Sequence, residues 1–398
     1  MLKNLLATTA LASLAAGAAL ADGHADNLKI GILMGFTGPV ESLTPDMATS
    51  AELAFDEVNA SGLLLGGRQI ETLRGDSTCT DAAAATAAAE RLVSDGVTAI
   101  LGAACSGATI AAVTNVAVPN GVLALSPSAT SPGLSDIDDR GLFFRTAPSD
   151  ARQGEVLADL TMARGIDEVA VTYTNNDYGK GLADAFARAF QTLGGTVSTS
   201  IAHEDGKADY SAEVSTLAAS GATELLVIGY VDQGGRQIIQ TALDLGAFDR
   251  FILPDGMIGE TLLADLGGQL DGSFGSVPGS DSDAAAAFDA LAAEAGITGI
   301  GPFRGESYDA AALIALAMQA AGSTERGELA AQMTRIANAP GTPIGVGELA
   351  KGLQILSDGG EIDYVGVSNV EFDAGGNAAG TYREIEIRDA AFETQRVW

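Results

Sequence analysis

Leu101–Thr130, LGAACSGATIAAVTNVAVPNGVLALSPSAT, is the stretch that decides the fold. It opens on a short apolar strand and passes through a turn of small residues into a helix-like run. It then repeats the strand at VLALS before a second turn, SPSAT. Apolar strands that end in Gly, Ser and Thr turns belong to parallel sheets, where each strand hands over to a helix. At such hand-overs the free N–H groups of a helix start, with neighbouring hydroxyls, can hold a small anion such as a carboxylate. The stretch therefore predicts an α/β sheet and a carboxylate site at its strand ends.

The alternation continues on both sides. Residues 29–35 form a predicted first strand, and Thr44-Pro45 caps a helix, with Pro at its first position, whose Met47, Ala51, Ala54, Phe55 and Val58 share one face and whose stop is Gly62. Strands follow over 68–75, 97–102 and 122–125, with an Ala-rich helix from Asp81 to Ser94 between the first two and another from about Ser106. The pattern then begins again. Strands are expected over 168–174, 197–201, 224–230 and 250–253, and Leu182, Ala185, Phe186, Ala189, Phe190 and Leu193 make one helical face. Runs such as VAVTY and LLVIG are apolar without alternation, as strands covered on both faces require. Two wound sheets in one chain place a ligand cleft between them. Later segments 284–295, 307–321 and 325–337 read as helices, and 365–387 as antiparallel or edge strands with a turn at 373–376.

Totals narrow the function. The formal net charge of −31 argues against nucleic acid and anionic membranes as partners, and 47% hydrophobic residues suffice for two cores. Residues 1–21 read as a secretory signal: Lys3, an apolar run from Leu5 to Leu20, and the small-x-small site Ala19-Leu20-Ala21. In an exported chain the two cysteines, Cys79 and Cys105, usually pair, and a bridge there would contribute about 3–4 kcal/mol. Free thiols are the alternative; a metal site is a poor one, because the spacing fits no common zinc pattern and only two His are present.

Catalytic signatures are missing. The chain has no G-x-S-x-G elbow, no phosphate-binding P-loop, and no G-x-G-x-x-G after the first strand. His24 lies in the N-terminal segment, and His203 beside Glu204 and Asp205 reads as a solvent-facing loop residue. The expectation is a binding protein with no catalytic residue, no metal and no cofactor.

Several segments in order resemble the leucine/isoleucine/valine-binding proteins, the extracytoplasmic receptors of ATP-driven amino-acid importers. They are KIGILMGFTGP (29–39), AFDEVNASG (54–62), DSTC (76–79), AACSGAT (103–109), LSPSAT (125–130) and NDYGKGLA (176–183). The resemblance runs from about Leu28 to the C-terminus. It implies a type I periplasmic binding protein: two doubly wound Rossmann-like lobes, three hinge crossovers, and closure over the ligand. It places lobe 1 at 28–147 plus 279–371 and lobe 2 at 148–278 plus 372–398. It also implies a periplasmic location, a monomer, an aliphatic amino-acid ligand and an inner-membrane permease as partner.

Carried over position by position, the resemblance assigns the ligand carboxylate to Ser106, and the amino and carboxylate groups to Ser128, Ala129 and Thr130. Tyr178 and Tyr230 would reach across the cleft, and Asp255 in LPDGM would bind the ammonium. The rival readings are an ordinary helix cap at Ser106, plain turns at SPSAT and PDG, and a core Tyr at 178. Three positions depart from the family. Asp255 stands where the leucine-binding branch usually has Glu, about Leu43 (with Glu41 close by) where it has Tyr, and Ser128 where it has a smaller residue. A shorter acid suits a bulkier amino acid or an amine displaced from the α-carbon. Arg145, Arg152 and Arg304 are candidates for a second carboxylate, with surface or hinge roles as the alternative. A ligand without an α-ammonium (an amide, urea or aromatic carboxylate) and a ligand-sensing module are the other functions this site would serve.

Overall fold

The computed structural model describes residues 27–398, so the leader expected over 1–21 lies outside the described residues. Five strands form the first sheet: β1 (Leu28–Met34), β2 (Ile70–Asp76), β3 (Ala99–Gly102), β4 (Leu123–Ser126) and β5 (Phe143–Arg145). Their order is β2-β1-β3-β4-β5 and every pairing is parallel. β3 and β4 are buried along their whole length, which is why they read as unbroken apolar runs.

Three helices wind this sheet: α1 (Thr44–Ser61), α2 (Ala82–Ser94) and α3 (Ser106–Ala112). Asp81 caps α2 by accepting from the Ala83 and Ala84 N–H groups. Gly62 closes α1 in the left-handed conformation, with φ 64°. Thr44, by contrast, is not the cap of α1. It is the first helical residue, and its hydroxyl donates to the Gly35 carbonyl across the first strand–helix turn (2.8 Å).

The chain then builds the second sheet from β6 (Glu168–Thr174), β7 (Thr196–His203), β8 (Glu224–Ile228), β9 (Phe251–Leu253) and β10 (Phe274–Pro278). Between them run α4 (Asp150–Ala163), α5 (Asp177–Thr192), α6 (Ser211–Ala218), α7 (Gly234–Asp244) and α8 (Glu260–Leu266). After β10 the chain returns to the first lobe with α9 (Asp283–Glu294), α10 (Arg304–Ala321), α11 (Met333–Ala337) and α12 (Leu349–Ser357), and a small parallel pair, β11 (Thr342–Ile344) and β12 (Ile362–Tyr364). A final hairpin, β13 (Tyr382–Arg388) and β14 (Ala391–Val397), closes the second sheet in the order β14-β13-β10-β9-β8-β6-β7. The fold is thus two α/β lobes with the chain crossing between them three times.

α10 is buried from Gly305 to Met318, apolar on every side from Ala310 to Met318, and packed on α1. Its Asp309 carboxylate accepts from Tyr364 Oη, the Val367 and Ser368 N–H groups and Ser368 Oγ (2.6–2.9 Å), which fastens the last crossing segment to the lobe. Two expectations fail locally. Only 333–337 of the segment 325–337 is α-helix, because Gly327 takes φ 89° and interrupts it. The antiparallel tail starts at Tyr382, whereas 365–372 lacks a regular strand; the turn at Asp373–Gly376 does form.

Cys79 and Cys105 are bridged over a separation of 26 residues. The bridge ties the loop after β2 to the residue that precedes α3. Replacing both with Ser is expected to lower stability by about 3–4 kcal/mol in urea unfolding, while a reductant has little further effect on that variant.

His203 ends β7 fully buried, not facing solvent. Its Nδ1 pairs with the Thr172 hydroxyl (2.9 Å), and Tyr210 stands edge-on to the ring. Burial pushes its pKa down to about 4 from 6.5, Glu213 opposing and Lys207 assisting. Above pH 6.5 the imidazole is neutral in both states and its contribution is complete. Between pH 6.5 and about 4 the unfolded chain takes up a proton that the folded one refuses, so stability falls. Urea midpoints across that window should decline less steeply in His203→Gln than in the wild type.

Candidate functional site

Both sheets present their carboxyl ends to the same gap, as wound α/β sheets do at a ligand cleft. A cavity of about 40 Å³ lies there. The turn after β3 contributes Ala104, Cys105 and Ser106, and the turn after β4 contributes Ser128 and Thr130. From the second lobe come Tyr178 at the start of α5, Tyr230 after β8, and Asp255-Gly256 after β9. Six of the seven residues singled out in the sequence therefore line one space. Ala129 does not. Its N–H donates to Ser126 Oγ (3.0 Å) and its carbonyl accepts from Arg145, so its backbone shapes the turn and faces away from the cavity.

The N-cap of α3 is Cys105, and Ser106 is its first helical residue. The Ser106 N–H thus has no intrahelical acceptor. The Ser106 hydroxyl accepts from the Ser131 N–H (3.1 Å), which locks the two turns together. Ser128 Oγ donates to the Ala104 carbonyl (2.9 Å). The Thr130 hydroxyl is buried without a partner. These dipoles at a helix start suit a carboxylate.

The opposite wall is acidic. Asp255 is 2% exposed and accepts from Tyr178 Oη (2.8 Å). Burial pushes its carboxyl up to about 6, with Tyr178, the Gly256 N–H and Gln153 pulling it back. The Tyr178 and Tyr230 rings stack at 5.4 Å between centroids, and Asn176 Nδ2 donates to Tyr230 Oη (3.2 Å). Burial and the neighbouring Asp255 charge raise the Tyr178 phenol well above its usual value, so it stays a donor.

One residue here escaped the sequence reading: Asp150, the first residue of α4. It is wholly buried, and neither of its carboxyl oxygens has a hydrogen-bond partner among the described residues. Burial, then the Asp255 charge, push its pKa well up, against the Thr130 hydroxyl and the Arg145 charge. Gln153 Oε1, one turn along the helix, is also unpartnered. In sequence, Ser149-Asp150 looks like an ordinary helix start, and Ser149 does cap α4. Only the packing of α4 between the lobes shows that Asp150 points inward.

Arg145, raised as a partner for a second carboxylate, is sealed in the core beside this wall. It donates to Asn377 Oδ1, the Ala129 and Ser131 carbonyls and Ser135 Oγ (2.8–3.2 Å). All of these are neutral, so its charge offsets part of the acid pair from behind. Arg152 pairs with Glu155 at the surface, and Arg304 pairs with Asp289.

The remaining lining is apolar: Val40, Leu43, Met47, Pro302 and Phe303. The cleft is shut. On one flank the Ser42 N–H donates to Asp232 Oδ2 (2.8 Å) and the Asp232 N–H to the Pro39 carbonyl (3.2 Å). On the other, Ser131 Oγ donates to the Asp177 carbonyl (2.9 Å). Among the described residues no cluster of three or more His, Cys, Asp or Glu has metal-binding geometry, and no helix is long and apolar enough to cross a membrane.

The periplasmic binding protein family model matches residues 27–349. The Leu/Ile/Val-binding protein BraC3 of Rhizobium johnstonii is 31% identical over 352 residues, covering 86% of this chain and 92% of its own. Among solved structures, the branched-chain amino acid transporter substrate-binding protein LivJ of Streptococcus pneumoniae, in complex with isoleucine, aligns with a TM-score of 0.77. It is 25% identical, with coverage of 94% of this chain and 99% of that one. The leucine-binding protein LivK of Thermotoga maritima aligns with a TM-score of 0.78 at 21% identity, covering 93% and 98%. The family is extracytoplasmic, and its members bind substrates without transforming them. The chain belongs to the periplasmic binding proteins, in the group of the Leu/Ile/Val-binding proteins of ABC-type transport.

Proposed function

We propose that the chain is the periplasmic receptor of an ABC importer for an aliphatic amino acid, which it closes upon and delivers to an inner-membrane permease. The observation that carries this reading is the polarity of the closed cleft. Hydroxyls and a helix start stand on one side and the buried Asp255 carboxyl on the other, with the buried Asp150 carboxyl close behind the cavity lining, beside Asp255 and Thr130. A zwitterion matches both ends. With both acids ionised, Arg145 leaves one negative charge in excess, which an ammonium neutralises. The charge balance disfavours amides, urea and aromatic carboxylates, which offer no cation. Val40, Leu43, Met47 and Phe303 form an apolar seat for the side chain, and Leu43 in place of an aromatic residue removes a stacking partner from it. Isoleucine bound by LivJ and the names of the relatives point the same way. In this reading residues 1–21 export the chain, the lobes divide at 147/148, 278/279 and 371/372, and those crossings are the hinge.

A thermal-shift screen of aliphatic amino acids against benzoate, urea and amides tests the ligand class. A true ligand at 100 times its dissociation constant adds about 2.7 kcal/mol of stability. Stabilisation by the aromatic acids alone would overturn the reading. In calorimetry, Asp255→Ala should weaken amino-acid binding by about 2–5 kcal/mol, since the ammonium loses its charged partner in a closed site.

Asp150→Asn separates binding from stability. The raised pKa of Asp150 means that the folded chain holds a proton which the unfolded chain releases above 3.8, so this group costs stability as the pH rises. The ligand-free variant should therefore be more stable than the wild type at pH 7, by about 0.5–2 kcal/mol, yet bind the amino acid more weakly. Thermal unfolding without ligand and calorimetry with it read the two effects.

A further inference from the structure

Pro302 and Phe303 wall the main cleft on one face and a second cavity, of about 80 Å³, on the other. This second space lies where the chain crosses from β10 to α9, at Gly279 and Ser280. Four ionisable side chains line it: Asp289 from α9, Arg304 and Glu306 from the first turn of α10, and Arg383 from β13. The two arginines thus come from opposite lobes.

Arg304, Glu306 and Arg383 are incompletely paired. The Arg383 side chain makes no hydrogen bond or ion pair with any described residue, and its Nε is buried without a partner. Arg304 Nε is likewise buried and unpartnered; only its Nη2 reaches an acceptor, Asp289 Oδ1 at 3.2 Å. Glu306 is 6% exposed and its carboxyl bonds to no other side chain. Burial and Asp309 push it up to about 7, against Arg304 and Arg383. A buried Nε with no acceptor is costly, and the planar guanidinium fork is shaped for an oxyanion. With Asp289 answering Arg304 and Glu306 able to carry a proton, the uncompensated charge is that of Arg383, a single positive charge.

We infer that this hinge cavity is a second binding site, for a small oxyanion such as a phosphate or a short carboxylate, held between Arg383 of one lobe and Arg304 of the other. The anion ties the lobes together at the crossing, and through the shared wall at Pro302-Phe303 it favours the closed cleft. Its chemistry does not depend on which ligand the main cleft takes. Phosphate offers several oxygens to the two guanidinium groups at once, whereas gluconate, a bulky polyhydroxy acid, offers one carboxylate.

The test uses the full mature protein without amino acid, at fixed ionic strength, with inorganic phosphate titrated against gluconate. Phosphate should raise the unfolding temperature saturably and gluconate should not. Asp255→Ala, which disables the main cleft, should leave the phosphate effect intact, so the two sites are scored separately. Arg383→Gln should lower phosphate affinity at least about tenfold, and Arg383→Lys, which keeps the charge and loses the fork, should fall between. Since Arg383→Gln relieves an unpaired charge, calorimetric titration of phosphate into Arg304→Gln gives a second reading, with a loss of similar direction. Affinity for acetate, whose charge is constant over this range, should also rise as the pH falls from 8 to 6, where Glu306, flanked by Arg304, Arg383, Asp289 and Asp309, takes up its proton. The inference fails if phosphate stabilises the wild type no more than gluconate does, or if both arginine variants respond as the wild type does.

Discussion

The burial of two carboxyl groups, Asp150 and Asp255, in a closed cleft is the constraint on which the rest of the molecule depends. Acid in a water-free space is expensive unless something answers it. Asp255 has Tyr178 Oη as an answer, and neither carboxyl oxygen of Asp150 has a hydrogen-bond partner among the described residues. The polypeptide therefore carries a site whose polar groups are only partly satisfied by the chain itself. A cationic ligand that enters is rewarded twice, by charge and by the hydrogen bonds left open. The same arrangement makes the unliganded closed form costly, which gives an opening equilibrium a physical origin.

The architecture serves this constraint. Parallel strands in both sheets end at the cleft, so helix starts and turns, rather than strand edges, meet there. The disulfide holds the turn before α3, and the Ser106–Ser131 hydrogen bond joins it to the turn after β4. Arg145, bonded on all sides by neutral oxygens, keeps the SPSAT turn and the 373–377 turn in place while its charge acts on the acid wall. Closure itself is secured away from the cavity by Asp232 on one flank and Ser131–Asp177 on the other. Contacts that join the lobes without touching ligand let affinity and closure be tuned separately.

Much of this was legible in residues alone. Apolar runs without alternation marked strands covered on both faces, and Asp81 and Gly62 punctuated helices as their chemistry requires. The strand-end turns pointed to an anion site, and the family resemblance assigned Ser106, Ser128 and Thr130 to it. Elsewhere local signals misled. The segment 325–337 looked helical until Gly327 interrupted it, and Thr44 looked like a cap although its hydroxyl bonds to Gly35. His203, set among acids in the sequence, faces the interior because β7 ends beneath Tyr210.

What the sequence by itself determined was the kind of fold and the strand-end turns that meet at the cleft, since these follow from local periodicity and from helix starts. The tertiary structure alone decided the acid pair, the inward turn of Asp150, the sealing of Arg145 and the meeting of Arg304 with Arg383. Those depend on segments far apart in the chain. Whether a charged side chain is solvated or buried is set by what packs over it, and no local pattern carries that information.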